Sequence, residues 1–247
     1  MLLTKHLNVW LQSGESWLTP EQLEACERHP GDDPDMRWDS LKGRDVYIGV
    51  DLAAVADLTS VAYLFPDAKG VRVKHRNFCC EAQLIDNEHF ELWANEDWLE
   101  VAGDLVIDLE VVRERLEQDT DDFVVLGVGY DPHQGRLMAQ TLARRAPDVP
   151  VVQFPQQGQW PDFGLRQVET YVKDKRFMYD ANPSTTWMFR NCNVVVNKGG
   201  YMVPDRTNPD LKIDAIDALL NSVNIRQHVE LMRAKEEEVF QGIRRIV

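Results

Sequence analysis

The sequence predicts an α/β protein in which a mixed sheet is covered by helices on both faces. Residues 46–50 and 123–130 are uninterrupted runs of apolar or small residues, which is typical of strands buried on both faces. In the second half of the chain, strand patterns alternate with helix patterns, and this alternation favours a sheet with parallel pairs. These two observations set the fold class before any chemistry is considered.

The first 44 residues differ from the rest and are expected to form an N-terminal helical arm. Trp10, Trp17 and Trp38 are spaced through polar sequence. Thr19 followed by Pro20 is a helix-start pattern, with Thr as N-cap and Pro at the first helical position. We expect residues 1–44 to pack their tryptophans on this domain or on a neighbouring one, and residues 45–247 to form the main domain.

The remaining elements follow from apolar periodicity and turn chemistry. Three strands come first as a meander, with turn residues between the second and third. The predicted strands are 46–50, 59–65, 71–78, 123–130 and 149–154, with a hairpin at 193–196 and 201–203. The predicted helices are 87–94, 109–118, 134–145, 165–173, 182 to about 190, and 213 toward 238. Pro132 cannot donate a hydrogen bond to a neighbouring strand, so the strand before it must stop there. Residues 156–161 are expected to form a polar loop.

Composition narrows the class of protein. The 247 residues carry a formal net charge of −14, which argues against holding nucleic acid by bulk electrostatics. The basic clusters, including 74–76, are expected to be solvated faces. The four cysteines lack metal-ligand spacing and are expected to be free thiols. No apolar run approaches the roughly 20 residues that span a bilayer, so no membrane partner is expected.

Several aspartates lie at the predicted ends of buried strands and at the start of the last helix. Asp51 and Asp131 come at the ends of the two buried strands, and Asp214 and Asp217 lie three residues apart where the last helix starts. Asp57 lies in the loop after the first strand. If the sheet gathers these acids, their oxygens would suit Mg²⁺ or Mn²⁺, and two such ions can hydrolyse a phosphodiester. For a single acid at a strand end, a capping or turn role is the competing explanation.

Several short stretches together resemble one protein family. The stretch GVDLA at 49–53, with DLT at 57–59, resembles the start of the nuclease domain of large terminase subunits from tailed bacteriophages. YDP at 130–132 resembles its second acidic strand end, and KIDAIDAL at 212–219 resembles its closing segment. HLNVW at 6–10 is similar to the segment that joins the packaging ATPase to the nuclease. The resemblance covers nearly the whole chain, and the order and spacing of the stretches make it specific.

The resemblance implies a ribonuclease-H-like fold and a two-metal endonuclease that cuts concatemeric viral double-stranded DNA during genome packaging. By position, Asp51, Asp131 and Asp214 would be the catalytic metal ligands, and Asp217 and Asp57 further candidate ligands. The cofactors would be two divalent cations, Mg²⁺ or Mn²⁺. The candidate DNA contacts are Lys212, which precedes the last acid, His133, which follows Asp131, and Lys198.

The implied partners are DNA, the packaging ATPase half, the small terminase subunit and the portal, in the cytoplasm of a bacterial host. The isolated domain is expected to be monomeric. Two alternatives stay open: a catalytically silent nuclease fold that docks portal or packaging partners, and a junction-resolvase-like nuclease. Metal binding and cleavage separate the first alternative from an active enzyme, and a preference for branched DNA would select the second.

Overall fold

A seven-stranded mixed sheet forms the centre of the molecule. The structure is a computed structural model that describes residues 16–53, 57–132 and 135–244. The sheet order is β4-β3-β2-β1-β5-β6, and β7 pairs with β3. The strands are β1 (Asp45–Asp51), β2 (Thr59–Asp67), β3 (Gly70–Cys79), β4 (Glu100–Val101), β5 (Val124–Tyr130), β6 (Val151–Gln153) and β7 (Phe177–Tyr179). A separate two-stranded hairpin consists of β8 (Val194–Val196) and β9 (Met202–Pro204).

The directions of the strands decide which of their ends meet. β1 pairs antiparallel with β2 and parallel with β5, and β5 pairs parallel with β6. Val50 is in register with Tyr130, so β1 and β5 end side by side. Asp51, the last residue of β1, and Asp131, which follows β5, therefore lie at the same edge of the sheet.

Helices cover both faces of the sheet, as predicted. The helices are α1 (Pro20–Cys26), α2 (Trp38–Leu41), α3 (Glu81–Asp86), α4 (Glu88–Asn95), α5 (Leu109–Asp122), α6 (Arg136–Arg145), α7 (Gln159–Lys173), α8 (Pro183–Asn191) and α9 (Asp214–Arg244), with a 3₁₀ turn at Pro34–Met36. One core contains Tyr47 of β1 with apolar residues of α7 and α9. The other contains Ile48 with apolar residues of α5 and α6, because successive strand residues point to opposite faces.

The described part of the N-terminal segment packs on this same domain. Trp17 is buried and stacks on Phe189 with ring centroids 6.2 Å apart. Trp38 meets Tyr63 edge-on at 5.2 Å. Thr19 caps α1 through a capping box. Trp10 lies outside the described residues, and the boundary at residue 44 stays a prediction.

Most predicted elements are present, and the differences have identifiable causes. Helix α7 begins at Gln159, inside the stretch predicted to be a loop. Pro161 is compatible with this because a residue in the first helical turn has no intrahelical N–H bond to lose. The short elements α3, β4 and β7 were not predicted. Strand β7 has only three residues, and its pairing with β3 is what defines it.

The expectation of a solvated basic face at 74–76 is wrong for all three residues, since the Arg76 side chain is only 12% exposed and is ion-paired. Lys74 and His75 are each only 3% exposed. The Nζ of Lys74 pairs with Asp180 at 3.0 Å, and His75 Nε2 lies 3.1 Å from the carbonyl oxygen of Ala215. A central strand buries both of its faces, so these charged and polar side chains need partners inside the protein.

All four cysteines are free, as predicted. Burial raises the pKa of the Cys26 thiol to about 11 and that of the Cys79 thiol to about 12. Within the described residues, no helix combines the length and the apolar character needed to cross a membrane.

Candidate functional site

A cavity of about 380 Å³ opens at the edge of the sheet where β1 and β5 end and α9 begins. Five carboxylates line it, contributed by segments far apart in the sequence. They are Asp51, Asp57, Asp131, Asp214 and Asp217. Four of them are buried, with exposed fractions of 9% or less, and Asp57 is the exposed one. The fold thus concentrates negative charge in one concave place.

Asp51 is held by neighbours on two sides. Its Oδ1 accepts a hydrogen bond of 2.9 Å from Gln156 Nε2, and Gln156 follows β6. The carbonyl oxygen of Val50 accepts a bond of 3.0 Å from Asn221 of α9. Because the backbone and the carboxylate are both held, Asp51 is fixed relative to α9 as well as to the sheet.

A glycine in β1 lets α9 lie directly on the sheet. A Cβ atom built at Gly49 would stand 1.9 Å from the carbonyl oxygen of Ala218 and 2.4 Å from the backbone N of Ser222. Both atoms belong to the backbone of α9, so no side-chain rotation could make room. Only glycine permits this approach, and the approach brings the first turn of α9 to the end of β1.

The first turn of α9 carries two of the acids. Asp214 begins the helix, and Asp217 lies one turn later on the same surface. Ala215 between them is fully buried; its N–H donates to the sulfur of Met188 at 3.4 Å, and its carbonyl oxygen faces His75. These contacts fix the orientation of the turn toward the cavity.

Two basic side chains reach the acids from one connection. The loop 205–213 joins β9 to α9 and forms a wall of the cavity. From it, Arg206 Nη2 donates to Asp217 Oδ1 at 2.7 Å. Lys212 Nζ donates to Asp57 Oδ1 at 2.6 Å and to the carbonyl oxygen of Pro209 at 3.0 Å. The basic charge at the site therefore comes from the segment that immediately precedes α9.

Crowded negative charge makes ionisation costly in the cavity. Burial, reinforced by Asp217 and Asp214, raises the pKa of Asp51 well above its ordinary value. Burial also raises the pKa of Asp214 to about 7; its own backbone N–H opposes the shift, and Asp57 and Asp217 add to it. The pKa of Asp217 is raised by burial, although Arg206 works against that shift. The basic side chains that line the cavity do not carry enough positive charge to neutralise its carboxylates.

The donor set fits a hard divalent cation. Carboxylate oxygens are the ligands that Mg²⁺ and Mn²⁺ prefer. Asp214 Oδ2 is buried, and no residue in the described part of the chain forms a hydrogen bond with it. Within the described ranges, however, no three His, Cys, Asp or Glu side chains form a ready-made metal cluster. Gln156 holds one carboxylate and Arg206 another. The residues fit a cation in chemistry, and Arg206 would have to release the oxygen of Asp217 that it holds.

The structure brings together most of the residues predicted from sequence. Asp51, Asp57, Asp131, Asp214, Asp217 and Lys212 all line the cavity. Lys198 lies in the turn between β8 and β9 and is not among the residues that line it. His133 lies outside the described residues.

Two residues of the site were missed from the sequence, Gln156 and Arg206. Gln156 follows the third parallel strand at the same edge, so its position could have been inferred from strand order. Arg206 carries no comparable signal, because only the path of the loop places it beside Asp217.

A mixed sheet of this order, with carboxylates where its central parallel strands end and a helix across its face, has the ribonuclease-H-like fold that the resemblance implied. The family model described as "Terminase large subunit, endonuclease domain" matches residues 1–230. The chain belongs to this family, which confirms the resemblance seen in its sequence.

Three solved or curated proteins are similar to this chain. The crystal structure of the HK97 bacteriophage large terminase superposes with a TM-score of 0.73 at 19% identity, covering 85% of this chain and 43% of that one. Protein YmfN of Escherichia coli (strain K12) is 22% identical over 236 residues, which cover 89% of this chain and 50% of that protein. The large terminase nuclease of thermophilic phage G20c, solved with bound magnesium, has a TM-score of 0.48 at 13% identity, covering 72% of this chain and 80% of that one. This chain spans about half the length of the HK97 and YmfN relatives.

Proposed function

We propose that this chain is a metal-dependent endodeoxyribonuclease that cuts concatemeric viral double-stranded DNA during genome packaging, with little sequence preference. The observation that carries the proposal is the convergence of Asp51, Asp131 and Asp214 on one cavity from three remote parts of the chain. Capping or turn roles would not require three separate acids to share one concave site. Membership of the terminase endonuclease family supports the same reaction.

In this proposal Asp51, Asp131 and Asp214 hold two divalent cations, Mg²⁺ or Mn²⁺, with Asp217 and Asp57 as further ligands. Bound there, the cations would activate a water molecule and offset charge on the phosphate and the leaving oxygen. Gln156 orients the Asp51 carboxylate. Lys212, at the exposed side of the cavity, is suited to contact a DNA phosphate once it leaves Asp57.

The charge of the chain bears on its partners. A formal net charge of −14 gives the domain little general attraction for DNA. We therefore propose that the packaging ATPase half, the small terminase subunit and the portal hold the DNA, and that this domain makes only local, sequence-independent contact. The site of action would be the cytoplasm of a bacterial host, and the isolated domain would be a monomer.

The test is cleavage of supercoiled plasmid in Mn²⁺ and in Mg²⁺ by the wild-type chain and by Asp51→Asn. The substitution removes a metal-binding charge with little change in shape, so cleavage is expected to fall by about 10²–10³-fold. Asp121→Asn is the matched control, since Asp121 is exposed and pairs with Arg145 away from the cavity. Equal cleavage by wild type and Asp51→Asn would contradict the proposal.

The two alternatives make different predictions in the same assays. A silent docking module would neither cleave plasmid nor bind Mn²⁺ in calorimetry. A junction-resolvase-like enzyme would prefer four-way over linear DNA. The family match favours the packaging nuclease over both.

A further inference from the structure

The contact between Arg206 and Asp217 joins a partly exposed basic side chain to a buried acid of the cavity. Arg206 Nη2 lies 2.7 Å from Asp217 Oδ1. The two partners differ sharply in exposure, with 43% of the Arg206 side chain exposed against 5% for Asp217. The guanidinium therefore lies between solvent and a buried carboxylate, on the side from which a cation would arrive.

The charge of Arg206 acts on more than its direct partner. It opposes the upward pKa shifts of both Asp51 and Asp217. Lys212, from the same loop, pairs with the exposed Asp57 instead. Arg206 is thus a counter-ion for the buried acids in the absence of divalent cations.

The Arg206 side chain can move away from Asp217 without disturbing the core when a cation takes its place. Within the described part of the chain, the Arg206 guanidinium forms one hydrogen bond, to Asp217. A long, half-exposed side chain can turn into solvent without opening a cavity in the core. Asp217 cannot follow, because α9 is packed on β1 at Gly49.

We propose that Arg206 is a tethered counter-ion that competes with a divalent cation for Asp217. Asp217 becomes a metal ligand only when the guanidinium turns away, so Arg206 lowers the metal affinity of the free domain. A DNA phosphate at the cavity mouth would give the displaced guanidinium a new anionic partner, which links metal loading to the presence of substrate. This inference rests on the proposed function, because it assumes that the acids bind metal.

The experiment is titration calorimetry of Mn²⁺ into the DNA-free protein, comparing wild type with Arg206→Gln. Removing the competitor is expected to tighten the affinity for Mn²⁺ on the order of 10-fold, a size typical of coupling between contacting charged groups. Arg206→Lys keeps a positive charge near Asp217 and is expected to stay within a few-fold of wild type. In an Asp217→Asn background, Arg206→Gln is expected to change the affinity little.

A matched control separates this effect from a general change in charge. Arg166→Gln also removes an arginine that pairs with an aspartate, Asp162, but away from the cavity. Its Mn²⁺ affinity is expected to equal that of wild type. Thermal unfolding in chelator confirms that each variant is folded before titration.

The outcomes distinguish the inference from the function it rests on. Unchanged or weaker Mn²⁺ binding by Arg206→Gln, with clear binding by wild type, would overturn the competition and leave the proposed nuclease intact. The same holds if Arg206→Gln tightens binding equally in the Asp217→Asn background. Absence of Mn²⁺ binding in wild type and in every variant would overturn both.

Discussion

Asp214 shows at the scale of one residue how a buried carboxylate lowers the stability of the folded state. Its carboxylate is 8% exposed, one of its oxygens has no hydrogen-bond partner among the described residues, and its pKa is raised to about 7. A folded pKa above the ordinary value of 3.8 means that the folded state binds a proton more tightly than the unfolded chain. This residue therefore favours folding at low pH, and the benefit is lost as pH rises through about 7.

Replacing Asp214 with Asn should stabilise the metal-free protein at pH values above that transition. We expect a gain of about 1–3 kcal/mol in the free energy of unfolding near pH 8, because the variant has no buried charge to maintain. The difference should shrink as pH falls through 7. Urea unfolding in chelator between pH 8 and pH 6 measures both trends.

The same titration series contains its own control. Burial lowers the pKa of His75 to about 4, so His75 reduces stability as pH falls below its ordinary value of 6.5. That contribution is present in wild type and variant alike and cancels in their difference. A variant no more stable than wild type at pH 8 would show that ionised Asp214 is adequately compensated in the folded state.

Gln156 provides a second prediction about a single residue. Its amide holds Asp51 Oδ1, and groups that orient a metal ligand in this way typically affect metal affinity by 10- to 100-fold. Gln156→Ala is therefore expected to weaken Mn²⁺ binding by about 10-fold or more, measured by calorimetry. Gln156→Glu adds a carboxylate at the same place. Tighter Mn²⁺ binding by that variant would indicate that residue 156 donates an oxygen to the cation and does not merely orient Asp51.

Residues differed in how far their roles could be read from the sequence. Asp51 and Asp131 could be predicted because a buried strand that ends in a carboxylate is a local pattern. The position of Gln156 could have been inferred from strand order, because it follows the third parallel strand at the same edge. Arg206 could not have been predicted, because nothing in its immediate neighbours distinguishes it from other polar loop residues. The prediction that Lys74 and His75 face solvent was wrong, because the charge of a short segment does not show that its strand is central in the sheet.

At the scale of elements, the packing of α9 on β1 decides whether the acids meet. The start of the helix and the end of the strand were both visible as patterns, but their close approach was not. It depends on Gly49, whose lack of a side chain matters only because α9 crosses at that point. Short elements such as β7 could not be predicted for a similar reason, because their pairing with strands remote in the sequence is what defines them.

Gly49→Ala should therefore damage both stability and the site. A Cβ that would stand 1.9 Å from the carbonyl oxygen of Ala218 must push α9 away from β1, and such overpacking typically costs about 1–3 kcal/mol, occasionally more. Because Asp214 moves with the helix, Mn²⁺ affinity should fall as well. Thermal unfolding and calorimetry measure the two effects.

Gly31→Ala is the comparison for this substitution. At Gly31 the added Cβ would approach only the end of the flexible His29 side chain, at 3.0 Å. Its stability and Mn²⁺ affinity should stay near those of wild type. Ala218→Gly should fail to rescue Gly49→Ala, since the obstacle is backbone; a rescue would show that the helix contact has been misjudged.

At the scale of the whole molecule, the fold class was the most predictable feature. Buried strands, their order and the alternation with helices are properties of long segments, which average over local errors. The comparison with the HK97 terminase, at a TM-score of 0.73, agrees with that prediction. The net charge of the molecule also follows directly from the sequence.

A molecule with a formal net charge of −14 should bind duplex DNA weakly and through few phosphates. If Arg206 and Lys212 are the main contacts, the logarithm of the binding constant should fall with the logarithm of salt concentration at a slope of about −2. Fluorescence anisotropy with a labelled duplex, Asp51→Asn protein and a fixed Mg²⁺ concentration measures this slope without cleavage. The further change Lys212→Gln should make the slope shallower by about one. A slope steeper than about −5 would instead require a broad basic surface, and the domain could then hold DNA without help from other proteins.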